Sequence, residues 1–222
     1  MKTLMSLMLI TFLISCGKDS GSSGNNDSAG VTNFIEKEEP MKEGEYVAFL
    51  RTINSSVNGY IPFGRAELSL KEDELKVTTY IDDDQRVVHM QRIHTGKRCP
   101  TLQDDLNKDG YIDIIEAEKA LGEVIFALDD DLSSRQAGED KYPMGKSFTY
   151  TRSASWSGIL EDLKQDYRAG YLKLEGDLTL ENKVILIHGT AKTNLVPDSL
   201  QTIEGMEPHL SVPVVCGVIK KI

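Results

Sequence analysis

The strongest constraint on the fold of this chain is a pair of segments in which apolar and polar residues alternate. In residues 65–70, Ala66, Leu68 and Leu70 alternate with polar side chains, and residues 75–81 repeat this pattern after a charged turn. Successive side chains of a β-strand point to opposite faces, so a period of two predicts an antiparallel hairpin with one buried face. Further strands are predicted at residues 46–53, 87–93, 124–128, 148–152, 172–180, 184–188 and 212–219.

Many short strands in one chain predict an all-β fold, with antiparallel strands packed as a sandwich or a barrel. Residues 34–222 are long enough for one domain with a sizeable core. One helix is predicted at residues 157–167, where apolar residues recur at helical spacing before Gly170. We expect this helix to cap an open end of the sandwich, with Trp156 and Tyr150 as core or cap residues.

Residues 105–116 have the pattern of a twelve-residue calcium-binding loop. Oxygen-bearing side chains occupy positions 1, 3, 5, 9 and 12, and Gly110 at position 6 permits the sharp turn. Ca²⁺ takes six to eight oxygen ligands. An acidic surface turn is the alternative, but it does not explain why Ile112 and the terminal glutamate also fall in register. The predicted calcium ligands are Asp105, Asn107, Asp109, the Tyr111 carbonyl, Asp113 (directly or through water) and Glu116.

The context of this loop differs from that of a calcium sensor. The segment before it contains Gly96, Cys99 and Pro100, and proline in a helix interior costs roughly 3 kcal/mol, so no entering helix is expected. The sequence holds no second loop of this type, so the loop is predicted to act as a structural clamp. A short helix over residues 112–121 is expected to follow it and to end at Gly122.

Two acidic runs, at residues 82–84 and 129–131, each follow a predicted strand. Runs of aspartate after a strand are typical of solvated turns. A second calcium site is the alternative, although no ligand spacing supports it. We therefore expect both runs to lie at the surface.

The N-terminus has the pattern of a targeting segment. Lys2 precedes an apolar stretch at residues 4–14, which is shorter than the roughly 20 residues that span a bilayer. The tetrad Leu-Ile-Ser-Cys at residues 13–16 resembles the bacterial lipoprotein box, which implies cleavage after residues 1–15 and a lipid on Cys16. The alternative is an ordinary secretory signal with an incidental cysteine.

Residues 16–33 are then the lipidated cysteine and a flexible tether, because residues 17–33 contain almost nothing that can be buried. A Gly/Ser-rich chain of this length reaches roughly 20 to 25 Å. Several acyl chains on Cys16 meet the requirement of more than one chain for stable anchoring. The predicted location is therefore the cell envelope, with the chain anchored in the outer membrane and facing the periplasm or the cell surface.

The overall charge restricts the partners of the domain. The net charge is −10, and loss of Lys2 with the signal changes it to −11. Nucleic acids require a basic surface, so the charge argues against them as partners, and it also argues against an anionic membrane surface contacted by the domain itself. The remaining partners are the membrane, through the Cys16 lipid, and an unidentified protein or envelope component.

The chain has three cysteines. If Cys16 carries the lipid, Cys99 and Cys216 remain as a pair outside the cytoplasm, where disulfides persist. We expect a disulfide between them; two buried free thiols are the alternative.

Four further motifs occur in order along the chain: His89-Met90-Gln91-Arg92-Ile93-His94-Thr95-Gly96, Cys99-Pro100, Ile187-His188-Gly189 and Val212-Pro213-Val214-Val215-Cys216-Gly217, continued by Val218-Ile219. Together with the calcium loop they resemble bacterial secreted proteins related to the chordin-type (CHRD) domain, over roughly residues 86–220. The chain is more distantly similar to copper-zinc superoxide dismutase, which implies a Greek-key, immunoglobulin-like antiparallel β-sandwich. We expect the calcium loop and the one short helix to be inserted in that sandwich.

The resemblance to the dismutases implies a metal site, but the chain departs from the pattern at Arg92. A histidine is implied there, and arginine cannot coordinate a divalent metal because it stays protonated. His89, His94 and His188 are left as candidates to hold copper or zinc through imidazole nitrogens, the alternative being ordinary structural histidines. An efficient superoxide dismutase is therefore not expected.

Two classes of function follow from these patterns. The first is a membrane-anchored surface lipoprotein whose calcium-binding β-sandwich has a non-catalytic binding or structural role in the envelope. The alternative is a copper- or zinc-binding redox protein related to the dismutases. The sequence contains no Gly-x-Ser-x-Gly, no phosphate-binding glycine loop and no His-Glu-x-x-His, so it favours a protein that is not an enzyme.

Overall fold

The structure is a computed structural model that describes residues 42–59, 61–132, 141–170, 179–193 and 195–222. The predicted signal peptide, Cys16 and the tether lie outside these residues. Most of the strand predicted at residues 172–180 also lies outside them.

The first half of the sheet contains the predicted hairpin, which is confirmed. Strands β2 (Phe63–Lys71) and β3 (Glu74–Asp82) pair along their whole length, with Leu68 opposite Val77. The two-residue turn between them, Glu72 and Asp73, has φ of 50° and 72°, the left-handed backbone that matches the twist of a tight hairpin. The hairpin lies between β1 (Gly44–Thr52) and β8 (Phe148–Ser155), in the order β1-β2-β3-β8.

The second half of the sheet continues from β1 through shorter strands. All its pairs are antiparallel, and the C-terminal end of β1 joins it, with Arg51 opposite Cys216. Its strand order from the far edge is β6 (Val124–Ala127), β5 (Met90–His94), β9 (Val184–His188) and β10 (Pro213–Val218). The short β11 (Lys220–Lys221) pairs with the start of β1, and β4 (Val87–Val88) pairs with β7 (Met144–Gly145) in a separate ribbon.

One hydrophobic core joins the two halves of this curled sheet. Leu68 and Val77 from the first half are buried in the same cluster as Ile93, Phe126 and Ile185 from the second. Leu68 and Val77 occupy apolar positions of the period-two pattern, and each fully buried side chain of this kind contributes roughly 1.5 to 3 kcal/mol. The predicted all-β class is confirmed.

The described helices are short: α1 (Ser55–Asn58), α2 (Ile114–Leu121), α3 (Trp156–Arg168) and α4 (Pro208–Ser211). Helices α2 and α3 lie where the sequence predicts them. Among the residues of the structure's described ranges, no helix has both the length and the apolar character needed to cross a bilayer.

Helix α3 begins directly after β8 and covers the core. The Ser155 side chain accepts a hydrogen bond from the Gly158 N–H, and Asp73 of the hairpin turn accepts hydrogen bonds from the Ser155 and Ser157 hydroxyls. The buried face of the helix, which includes Trp156, packs into the main core. Tyr150 lies in the same core, so both aromatic residues are the core residues that were predicted.

The prediction of two solvated acidic turns is wrong for Asp83 and Asp129, which are both buried. Each carboxylate turns inward and accepts a hydrogen bond from a backbone N–H two residues later, that of Gln85 or Asp131. Burial raises the pKa of both carboxyl groups. Inward aspartates of this kind cannot be distinguished from solvated ones by composition alone.

Candidate metal centre

A disulfide holds the segment that leads into the predicted calcium loop. Cys99 is bonded to Cys216 on β10, with their Cα atoms 5.8 Å apart, so the predicted pairing is confirmed. Cys216 is buried in a cluster with Val184, Leu186 and Ile112. The disulfide therefore fixes one end of the loop segment to the middle of the sheet.

Helix α2 fixes the other end of the loop segment. Its apolar face, formed by Ile114, Ala117 and Leu121, packs with Val184 and Leu186 of β9. The side chains of these two strand residues point away from the main core, so the helix covers the outer face of the second half of the sheet. The loop thus runs between two anchors on the same sheet.

Asn54 makes a third attachment that sequence reasoning missed. Its Nδ2 donates hydrogen bonds to the carbonyls of Ile112 (2.7 Å) and Pro213 (3.0 Å), and its Oδ1 accepts one from the Ile112 N–H (2.9 Å). Buried polar groups need such partners, and this side chain satisfies the backbone at the loop's exit. A lone asparagine after a strand gives no local signal of this role.

The first half of the loop is folded by its own predicted ligands. Asp105 accepts hydrogen bonds from the Lys108 and Asp109 N–H groups through Oδ1, and from the Gly110 N–H through Oδ2 at 2.9 Å. Asn107 accepts from the Asp109 N–H (2.8 Å), and Asp109 accepts from the Tyr111 N–H (2.9 Å). Gly110 has φ of 88°, which permits the turn predicted at position 6. These bonds turn the side chains at positions 1, 3 and 5 toward the backbone of the loop.

Glu116, at position 12, closes the loop. Its carboxylate is buried, and Oε1 accepts hydrogen bonds from the N–H groups of Leu106 (2.8 Å) and Asn107 (3.1 Å) at positions 2 and 3. Its Oε2 accepts one from the Asp113 N–H (3.2 Å). The last predicted ligand therefore lies beside the first ones, as a twelve-residue ion-binding loop requires.

Asp113 has a structural role in this arrangement. One carboxylate oxygen accepts from the Glu116 N–H (2.9 Å) and caps α2, while the other accepts from the Gln201 N–H (3.0 Å). The side chain thus links the start of the helix to a distant segment. Its predicted part in binding calcium, like that of the Tyr111 carbonyl, stays a prediction.

The donor set of the loop fits a hard cation. The side-chain atoms that could bind the ion are oxygens. Asp105 Oδ2 and Glu116 Oε2 each accept a single hydrogen bond, which leaves a lone pair free. Within the described residues no three or more His, Cys, Asp or Glu side chains are grouped closely enough to hold an ion as they stand. To bind an ion, the Glu116 carboxylate would therefore have to give up hydrogen bonds that it accepts from loop N–H groups and coordinate the ion in their place.

The charge around the loop also fits a cation. In the described part of the chain no lysine or arginine forms an ion pair with Asp105, Asp109 or Glu116. Arg98 instead pairs with Asp104 just outside the loop at 2.6 Å, and this hydrogen-bonded pair lowers the pKa of Asp104 to about 2. The loop carboxylates thus keep an uncompensated negative charge.

The histidines predicted to hold copper or zinc do not converge. His188 is opposite Met90 in the β5–β9 ladder, whereas His94 is opposite Val184, four residues or about 13 Å further along the strand. His89 precedes Met90 in the chain and points to the opposite face, where its ring contacts Phe148 at 5.1 Å. These residues do not fit a copper or zinc site, and no chemistry through such an ion is derived.

The two histidines on the outer face are buried and neutral. Burial lowers the pKa of His94 to about 4 and that of His188 well below its usual value, and the nearby Arg92 guanidinium adds to both effects. Arg92 lies between them on the same face and donates a hydrogen bond to the Tyr142 hydroxyl at 3.3 Å. The Nε2 atoms of both histidines have no hydrogen-bond partner among the described residues.

Comparisons with known proteins add no family to this geometry. No protein-family model matches the chain, and a search of curated proteins gives no match. The proposal below therefore rests on the residues of the chain.

Proposed function

We propose that this protein is a calcium-stabilised β module that is anchored in the bacterial cell envelope by a lipid on Cys16 and has a binding or structural role without catalysis. The observation that carries the calcium proposal is the closure of the loop by Glu116, which accepts hydrogen bonds from the second and third loop residues. An ion held at that point would connect the two ends of residues 105–116.

The surroundings of the loop favour a clamp over a switch. The disulfide at Cys99 and the Arg98–Asp104 ion pair hold the segment before the loop, and α2 is packed on the sheet after it. A sensor loop works by changing the angle between the helix that enters it and the helix that leaves it. No helix enters this loop, because the preceding described element is strand β5. Calcium is therefore proposed to stabilise residues 99–122 as one unit.

We also propose that the curled sheet is a Greek-key β-sandwich related to the CHRD domain and, more distantly, to superoxide dismutase. The order of the motifs supports this, since the segment after β5 is joined by a disulfide to the cysteine of the last long strand. Arg92 occupies the position where that resemblance implies a copper ligand. Efficient dismutase activity is therefore not part of the proposal.

Calcium titration with a thermal melt tests the clamp. The melting temperature of the wild type is expected to rise with calcium, because a ligand at 100 times its dissociation constant stabilises the native state by about 2.7 kcal/mol. The rise should be absent in Glu116→Gln. The matched control is Glu118→Gln, an exposed position on the same helix, which should respond like the wild type.

A direct binding measurement is needed beside the thermal melt. Glu116→Gln also weakens hydrogen bonds within the loop, so its melting temperature changes for a reason other than calcium. Equilibrium dialysis at a temperature where both proteins are folded should give one calcium per wild-type chain and none per Glu116→Gln chain. Elemental analysis of the same samples should find no stoichiometric copper or zinc. A wild type that binds no calcium would overturn the clamp, and stoichiometric copper would favour the redox alternative.

The lipid anchor is tested separately in cells. Labelling with a fatty-acid analogue should mark the wild-type protein, and the Cys16→Ser variant should lose both the label and its partition into membranes. The motivation is the cysteine at the end of the Leu-Ile-Ser-Cys tetrad. Retention of the label in the variant would place the anchor elsewhere.

A further inference from the structure

The outer face of the first half of the sheet has a row of exposed aromatic and cationic side chains. Phe49 on β1 is directly opposite Arg65 on β2, and Arg65 is directly opposite Tyr80 on β3. Their chain neighbours Ala48 and Ala66 face the core, so the row faces solvent. Phe49 is 66% exposed, Phe63 56% and Tyr80 37%. Large apolar side chains that are grouped at a surface commonly mark a binding site.

These side chains surround a groove of about 520 Å³. It lies over Gly64 and Ile81, between Phe63 and Arg65 on one strand and Tyr80 and Asp82 on the next. Its volume is within the range of small-ligand sites, roughly 300 to 1,000 Å³. All the residues that line the groove lie outside residues 105–116, so its occupation is not expected to depend on the proposed clamp.

The polar groups of the groove are already held in position. The Arg65 guanidinium lies 5.1 Å from the centre of the Tyr80 ring and forms an ion pair with Glu67 at 2.9 Å. Asp82 accepts a hydrogen bond from the Ser147 hydroxyl at 2.6 Å. A ligand that bonds to these groups would therefore meet a prearranged site, which reduces the ordering cost of binding.

The position of the groove restricts what can bind there. Strands β2 and β3 are both paired on each side, so their backbone groups are used and a peptide cannot add to the sheet as a further strand. Arg65 is balanced by Glu67, and Asp82 adds a negative charge, so anionic ligands and anionic membranes are disfavoured. A neutral ligand with both flat apolar faces and polar edges fits these groups.

We propose that this groove binds a neutral oligosaccharide. The C–H face of a sugar ring packs on an aromatic ring, and its hydroxyls can donate to Asp82 and accept from Arg65. Phe49 and Tyr80 are two strands apart, or about 10 Å, so the aromatic row is long enough to contact more than one ring of an extended chain. Arg65 lies at the centre of the row, with Phe49 and Tyr80 on its two sides, and Phe63 lies next to Arg65 along the same strand.

Affinity electrophoresis in gels that contain neutral polysaccharides tests the proposal with the full-length protein solubilised in detergent. The probes are a β-linked glucan, a mannan and a soluble chitin derivative, one in each gel. At least one is expected to retard the wild type, and Phe49→Ala and Tyr80→Ala should each weaken the interaction about tenfold or more. Both side chains are exposed, so their thermal melts should stay close to that of the wild type.

Leu102→Ala is the matched control, because Leu102 is equally exposed (67%) but lies outside the groove. It should bind like the wild type, and so should the wild type after calcium is removed with a chelator. Retardation by none of the three polysaccharides would overturn the proposal, and so would retardation that survives in both Phe49→Ala and Tyr80→Ala. Sedimentation that shows a dimer abolished by Phe49→Ala would assign the face to a second copy of this chain and would also overturn it.

Discussion

Replacing Cys99 and Cys216 together by alanine is expected to lower the free energy of unfolding by about 2 to 5 kcal/mol. The two cysteines are 117 residues apart, and a cross-link that closes a loop of this length removes much of the freedom of the unfolded chain. In the folded state the disulfide also holds the start of the calcium-loop segment on β10. Urea denaturation of the two proteins, both with Cys16→Ser to remove the third thiol, measures the difference.

The reductant gives the control for this prediction. Dithiothreitol should lower the free energy of unfolding of the protein that keeps Cys99 and Cys216 to about that of the double alanine variant. It should leave the double alanine variant unchanged. Alanine is preferred to serine at Cys216 because a hydroxyl in that buried cluster would add a separate cost. Equal stability of the oxidised wild type and the variant would contradict the structural role of the disulfide.

Acidification is expected to destabilise the protein, chiefly between pH 6.5 and pH 4. The pKa of His94 is about 4 in the folded protein and about 6.5 in an unfolded chain, so in this interval only the unfolded state binds the proton. The contribution of His94 to the free energy of unfolding is fully present above pH 6.5 and is lost as the pH falls. The loss reaches about 3 kcal/mol once the pH is below the pKa of His94 in the folded protein. His188, whose pKa burial also lowers, contributes in the same direction.

Asp83 and Asp129 oppose this trend at the acid end. Burial raises the pKa of both, so each folded carboxyl keeps a proton that the unfolded chain has lost, and their contribution favours the folded state at lower pH. The histidine effect is therefore isolated best by mutation. Urea denaturation from pH 7 to pH 4.5 should give a shallower pH dependence for His94→Leu than for the wild type.

The control is Ile93→Val, a buried change beside His94 that carries no titratable group. It should lower the free energy of unfolding by the same amount at every pH and leave the slope of the wild type unchanged. A His94→Leu variant with the wild-type slope would show that His94 is not the buried proton acceptor. The same experiment does not depend on any metal, because the pKa is lowered by burial.

Local patterns predicted the elements well. Strand β9 has the bounds that the sequence indicated, and helices α2 and α3 begin and end within two residues of their predicted limits. Period-two alternation and helical spacing are properties of neighbouring residues, so they can be recognised before the fold is known. The same patterns did not show that Asp83 and Asp129 turn inward, because the direction of a turn side chain depends on what packs beside it.

The amino-acid sequence by itself determined the closed loop at residues 105–116, since the backbone N–H groups that donate hydrogen bonds to Asp105 and Glu116 lie within the same twelve residues. Only the tertiary structure decided that Asn54 holds the loop's exit, that His89 faces away from His94 and His188, and that four different strands build the outer groove. The physical reason is the range of the contacts. A hydrogen bond within a turn follows from local backbone geometry, whereas a contact between distant residues depends on strand order and register, which short sequence patterns do not specify.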